Sequence, residues 1–234
     1  MIKAIWMMKP ADGLSLAECQ QHWFEVHGRH HVSATHKLID YRQNHTLVPA
    51  FEGTVATHAG ASICSFHDLA HMDEAMRTPA WAAASEDGRQ GVRGGPLFAM
   101  PIDLAVGLEE VVSDDGGTTP FSVKIIHAMS RKAGMAVADA RRQWEQAGRL
   151  IEDLPGLRRH TRNHGLAEAR KRPGVNRDDW AELWFDDHDA VRTVLGGGAW
   201  RDYSDAIFGP SGPFEKATLC CVVARERDML AGAS

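Results

Sequence analysis

Histidine is the side chain whose charge changes nearest neutral pH, and this 234-residue chain carries 13, nine of them before residue 117. The densest run is HWFEVHGRHH, His22 to His31. At a helical step of about 100° per residue, His27 and His30 fall within about 40° of Trp23, on the buried stripe. A histidine there either satisfies a core hydrogen bond or faces a cavity, where it can give or take a proton. His27 and His31 have the i, i+4 spacing at which two imidazoles share an ion. A third ligand and the acidic partner of a HExxH pattern are missing, so no metal site is expected. A second polar cluster lies in two strand-like segments. Alternation places Tyr41, Gln43 and His45 on one face, and His160, Arg162 and His164 on one face of the other. Such faces line a cavity or its rim, or belong to a solvated edge. Cys64 is either a nucleophile or, more simply, a small apolar residue. Gly196-Gly197-Gly198 lacks a following Lys-Ser/Thr and reads as a helix break, not a phosphate loop.

The elements that must hold these residues are written twice. Phe66-His67-Asp68 matches Phe185-Asp186-Asp187 at an offset of 119, which also carries Trp81 onto Trp200 and YRQNHTL onto HTRNHGL. Near the N-terminus the offset is 121, placing Ile5 on Ile126 and Trp23 on Trp144. A tandem duplication is expected, with residues 1–112 as the first repeat, 113–119 (SDDGGTT) as a flexible linker, and 120–234 as the second. Each repeat reads strand, helix, strand, strand, helix, strand. Strands are expected at Ile2–Met8, Tyr41–Leu47, Ala61–Phe66 and Ile102–Val112, then at Phe121–Met129 and Thr218–Val223. Leu16, Cys19, Trp23 and Val26 mark the first helix, with Ser15 and Glu18 as its capping box; its counterpart spans Val137–Ala147. Leu69, Met72, Met76 and Trp81 mark one further helix. The fold class is α+β: tandem ferredoxin-like β-α-β-β-α-β units, whose two bare sheet faces pack into a pseudo-dimeric α/β barrel. The ligand cavity is then expected between the sheets.

Composition narrows the function. With 44% hydrophobic and 24% charged residues and a net charge of −5, the chain is an ordinary globular one. Its acidity argues against nucleic acid as a partner. No apolar run reaches the roughly 18 residues of a membrane span, and Lys9 and Pro10 come too early for a signal peptide. Four cysteines without Cys-x-x-Cys spacing point to a reducing, cytoplasmic compartment. Residues 1–116 hold eight Lys+Arg against 15 Asp+Glu, while the remainder holds 18 against 16, so the halves are opposite in sign.

The duplicate is a control for His27. The second copy keeps Trp144 but continues Glu145-Gln146-Ala147-Gly148, without the histidine. A purely structural histidine should survive in both copies, so one active cavity per chain is expected.

HWFEVHG, followed by YRQNH and by a helix reaching Pro79-Ala80-Trp81, resembles the EthD family of the dimeric α/β-barrel superfamily. The Trp-x-x-x-His-Gly signature falls on Trp23, His27 and Gly28, and the second half resembles the family as a divergent copy. By that resemblance, the signature histidine and the tyrosine of the next strand, here His27 and Tyr41, face the cavity as they do in methylmuconolactone-type isomerases. The superfamily also includes decarboxylases, dehydratases and cofactor-free or haem-using monooxygenases, so the likeness implies a site more than a reaction. The leading expectation is a cofactor-independent lyase or isomerase acting on a small aromatic, lactone or polyketide-like compound. In it His27 moves the proton, Tyr41 polarises an oxygen and His45 assists. Trp6, Trp23, His30, Cys64, His127, His160 and Arg162 are the expected substrate-binding residues. No cofactor is expected, and homo-oligomerisation stays open. One alternative is an oxidoreductase or monooxygenase of the same barrel, with haem or flavin meeting His27 or a neighbour. The other is a non-catalytic accessory protein of a degradation pathway.

Overall fold

The computed structural model describes residues 1–47, 58–115, 117–119 and 122–231. Eight strands form it: β1 (Ile2–Met8), β2 (Asp40–Thr46), β3 (Gly60–Phe66), β4 (Asp103–Asp114), β5 (Val123–Met129), β6 (Leu157–Gly165), β7 (Asp179–Phe185) and β8 (Cys220–Asp228). All pair antiparallel and close a barrel in the order β1-β3-β2-β8-β5-β7-β6-β4. The same strand order runs through both halves, and the barrel closes within one chain at the seams β2–β8 and β4–β6. The offsets seen in the sequence reappear in the elements: β7 lies 119 residues after β3, and β5 lies 121 after β1. Among the described residues, no helix is long and apolar enough to cross a membrane.

Alternation sorts the strands into two faces. Ile5, Met7, Ile63, Ala105, Ile126, Trp180 and Val222 point inward and pack together. Toward one end the interior becomes ionic, where buried Lys124 meets Glu182 and Glu226, and Lys3 meets Glu109. Among the described residues, these side chains pack the barrel interior, where the ligand space was expected between the sheets. The cavity lies instead on the outer face, where helices cover the strands.

Helix α1 (Leu16–His22) begins as expected: the Ser15 side chain accepts from Glu18 N–H, and the Glu18 carboxylate accepts from Ser15 N–H. It then widens into a π-helix, Trp23–His31, and ends in a 3₁₀ turn, Val32–Ala34. The helix continues through Gly28. The single helix expected around Leu69–Trp81 is two, α2 (Leu69–Met76) and α3 (Pro79–Gln90). Pro79 supplies no N–H to continue α2, but it suits the first turn of α3, which Thr78 caps by accepting from Trp81 N–H. In the second half α4 (Val137–Gly148) precedes α5 (His188–Leu195) and α6 (Gly198–Phe208), separated at the glycines that marked a break. Strand β4 extends to Asp114, so Ser113 and Asp114, expected at the start of the linker, pair with β6. Strand β8 begins at Cys220, and Thr218 lies in a 3₁₀ turn before it. Phe121, expected to open a strand, and Gly116 lie outside the described residues.

The charge asymmetry has a structural counterpart. Acidic groups of the first half meet arginines of the second: Arg172 on Asp73, Arg177 on Asp103, Arg162 on Glu110 and Arg159 on Glu109.

Candidate active site

A cavity of about 640 Å³ opens between the first-half sheet and its helices, a size typical of small-molecule sites. Trp6 and Met8 of β1, Tyr41 of β2, and Ser62 and Cys64 of β3 form its floor. His27 of the π-helix, Ala84 of α3 and Phe98 form its roof, and the part-exposed Met76 and exposed Met100 stand at the rim. Trp6 and Trp81 meet with ring centroids 5.6 Å apart. The lining is aromatic and apolar, with few polar groups.

The π-helix determines which histidines reach this space. Backbone bonds from i to i+5 put residues five apart on one face: Trp23 and Gly28 are both buried, and His22 and His27 both reach Asp87 of α3. The His27 Nδ1–H donates to Asp87 Oδ2 at 3.0 Å, and the His22 Nε2–H donates to Oδ1 at 2.8 Å. His31 stays 4.0 Å from the same carboxylate. Burial works against the Asp87 charge, but the hydrogen bonds from His27 and His22 outweigh it and hold the carboxyl below the usual aspartate range. A charged carboxylate on Nδ1 fixes the tautomer and leaves Nε2 of His27 as the basic nitrogen. His27 and His31 therefore both turn toward the Asp87 carboxylate.

Gly28 is required by the other wall. A Cβ there would stand 2.2 Å from Gln43 Nε2 and 2.9 Å from Met229. Gln43 uses that room to donate to the Trp23 carbonyl at 3.0 Å and to the Tyr41 hydroxyl at 2.7 Å. Its carbonyl oxygen accepts from His45 Nε2–H at 2.8 Å. His45 stacks on Trp23, centroids 4.6 Å apart and nearly parallel. Burial, reinforced by Arg227, pushes His45 down to about 3, so it is a neutral donor. Burial raises Tyr41 well above the usual phenol value, with Cys64 adding to the effect, so its hydroxyl keeps its proton and can donate it to a developing oxyanion.

The structure thus brings together Trp6, His27, Tyr41 and Cys64 around the cavity, with Trp23 and His45 buried behind it. Burial pushes the Cys64 thiol far up, with the Asp40 charge adding to it, which keeps it un-ionised and suits a small apolar wall residue, not a nucleophile. His30 is solvent-exposed and is no part of the lining, because the i+5 register rotates it off the Trp23 face. His127, His160 and Arg162 belong to the second half and do not reach the cavity. There, the offset that carries Ala84 onto Tyr203 places a larger, buried side chain, its hydroxyl meeting Trp144 Nε1 and His127 Nε2, each at 3.1 Å. Arg162 pairs with Glu110 instead.

Sequence reasoning missed Asp87. It lies 60 residues from His27 in a helix whose pattern shows nothing unusual, and only the unforeseen π-turn aims both histidines at it.

No family model matches the chain, and no curated protein matches it. Solved structures do. An anthrone oxidase-like protein is 10% identical, with a TM-score of 0.66 over 97% of this chain and 93% of that one. A protein from Fusobacterium nucleatum subsp. nucleatum, provisionally named a monooxygenase, is 7% identical, with a TM-score of 0.52 over 97% and 92%. At these identities the likeness is one of fold: this chain is an α+β, eight-stranded antiparallel barrel of the ferredoxin-like kind. An EthD-family protein from Bacillus halodurans covers 44% of this chain and 95% of its own at 15% identity, with a TM-score of 0.35, too low to bear on the fold.

Proposed function

We propose that this chain is an oxidoreductase of the monooxygenase-like barrels, acting on a polycyclic aromatic ketone or phenol with an acidic C–H or O–H. The observation that carries this reading is the His27–Asp87 pair in the roof of an aromatic cavity that Tyr41 also lines. His27 Nε2 takes the proton, and the Asp87 carboxylate steadies the imidazolium that forms. Tyr41, itself held by Gln43, donates to the oxygen on which the negative charge collects. The electron-rich anion is then the reductant for dioxygen: a ring methylene plus O₂ gives a ring carbonyl plus water, so no resident redox group is required. The fold shared with an anthrone oxidase-like protein supports this choice.

A lyase or isomerase would use the same base and the same donor, with the anion reprotonated elsewhere or expelling a group. A non-catalytic accessory protein would bind the compound without turning it over. An oxygen electrode with an anthrone as probe separates the three. We expect oxygen uptake matched by quinone formation in wild-type protein and its loss in His27→Ala. Product without oxygen uptake assigns the lyase or isomerase, and binding without turnover assigns the accessory role.

The chain is further read as a tandem pair of EthD-like repeats joined near residues 113–119, in which the second copy lost its cavity when the position of Ala84 became Tyr203. The matched strand order and the common offsets support that reading.

A further inference from the structure

We propose that His58, Asp103 and Cys220 form a binding site for a zinc ion at the end of the barrel opposite the Lys3–Lys124 network. All three side chains are buried, and one donor atom from each lies within 4.8 Å of the other two. Asp103 opens β4 and Cys220 opens β8, while His58 precedes β3, so the ligands come from both halves. Asp103 Oδ2 is the shared corner, 3.0 Å from His58 Nε2 and 3.3 Å from Cys220 Sγ. Tetrahedral zinc, with bonds of about 2.0–2.3 Å, holds its donors roughly 3.3–3.8 Å apart. The two distances to Asp103 Oδ2 fall short of that spacing by only a few tenths of an ångström, and His58 and Cys220 keep their donor atoms within 4.8 Å of each other, so the three can close on the ion.

The donor set selects the metal. A thiolate with an imidazole and one carboxylate is a borderline-soft environment that suits zinc and disfavours magnesium or calcium. The outer shell is also in place. Arg177 holds the second Asp103 oxygen at 2.7 Å and lies 3.3 Å from Cys220 Sγ through Nε, and Asn176 Nδ2 stands 3.3 Å from Asp103 Oδ1. These contacts orient the carboxylate and stabilise a thiolate. On binding, the Cys220 thiol proton leaves to solvent and His58 carries its remaining proton on Nδ1. With Arg177 beside it, the site ends one unit more positive than before. The ion would tie β4 to β8 across the halves, next to the loop that carries Met100 and Ile102 at the cavity. This inference is independent of the reaction assigned above.

The rival is a hydrogen-bonded hub in which His58 and Cys220 simply donate to Asp103. Cobalt titration of the chelator-stripped full chain distinguishes the two. We expect a saturable thiolate-to-cobalt charge-transfer band at a single equivalent per chain, displaced by zinc and lost in Cys220→Ser. Zinc should also raise the unfolding temperature of wild-type protein but not that of the variant. If Cys220→Ser does not fold, His58→Gln carries the same test. Absence of the band in folded wild-type protein overturns the proposal. So does a band that survives in Cys220→Ser, since it would come from another thiol, or one that forms with unchanged affinity in His58→Gln, since the imidazole would then be no ligand.

Discussion

His27 and Asp87 act as a unit, and their variants should separate chemistry from folding. His27→Ala removes the base from a cavity wall and should leave the fold nearly intact while turnover drops about a hundredfold or more. Asp87→Asn keeps the shape but gives up the charge that fixes the His27 tautomer. It should lower turnover and move the acid limb of the pH–rate profile, which a merely structural aspartate would not do. Three other histidines govern acid stability. Burial pushes His45 and His160 down to about 3, with help from Arg227 and Arg162 respectively, and His127 down to about 4. Each is neutral when folded but takes a proton when unfolded below about pH 6.5. The stability tied to their neutrality is therefore present above that pH and lost as the pH falls toward the folded values. Each contributes at most about 1.4 kcal/mol per pH unit. Urea unfolding between pH 7 and 4 should show this steep loss, and His45→Phe, which keeps a ring on Trp23, should make it shallower. A flat profile would contradict the assignment.

The elements were legible where a single period governs them. Strands alternate at two, and β1, β3 and the capped start of α1 fall where the pattern puts them, because the outer face of each strand meets helices and the inner face fills the barrel. The π-helix was not legible. An assumed 3.6-residue turn places His30 inside and leaves Asp87 without a role, while the i+5 register reverses both. The zinc-site residues were hidden for another reason: 58, 103 and 220 have no ligand-like spacing and meet only through β4 and β8. Gly28 links the π-turn to the site, since its missing side chain is the space Gln43 occupies. Gly28→Ala should displace Gln43, lower stability by roughly 1–3 kcal/mol and weaken turnover through Tyr41. Thermal unfolding together with turnover checks this; an unchanged melt would show that the helix has room to shift.

Seams and interior charges hold the barrel as a whole. Lys124 is fully buried and meets Glu182 and Glu226, and Glu182 is held down to about 2 because Lys124 and Lys3 outweigh its burial. Glu182→Gln leaves Lys124 short of a partner and should cost about 3–5 kcal/mol, read by denaturant unfolding. The two halves share the β2–β8 and β4–β6 ladders, so a protease cut engineered between residues 115 and 119 should leave a folded, active two-piece barrel. Pieces that separate on a sizing column would show that the connection, not the seams, holds them together. The most direct measurement of the central assignment removes oxygen altogether: anaerobic deuterium exchange at the acidic methylene of a bound anthrone, followed by NMR. If His27 is the base, wild-type protein exchanges that proton well above the buffer rate, and His27→Ala falls back by about a hundredfold or more. Equal exchange rates in the two folded proteins would contradict the account and move the chemistry away from His27.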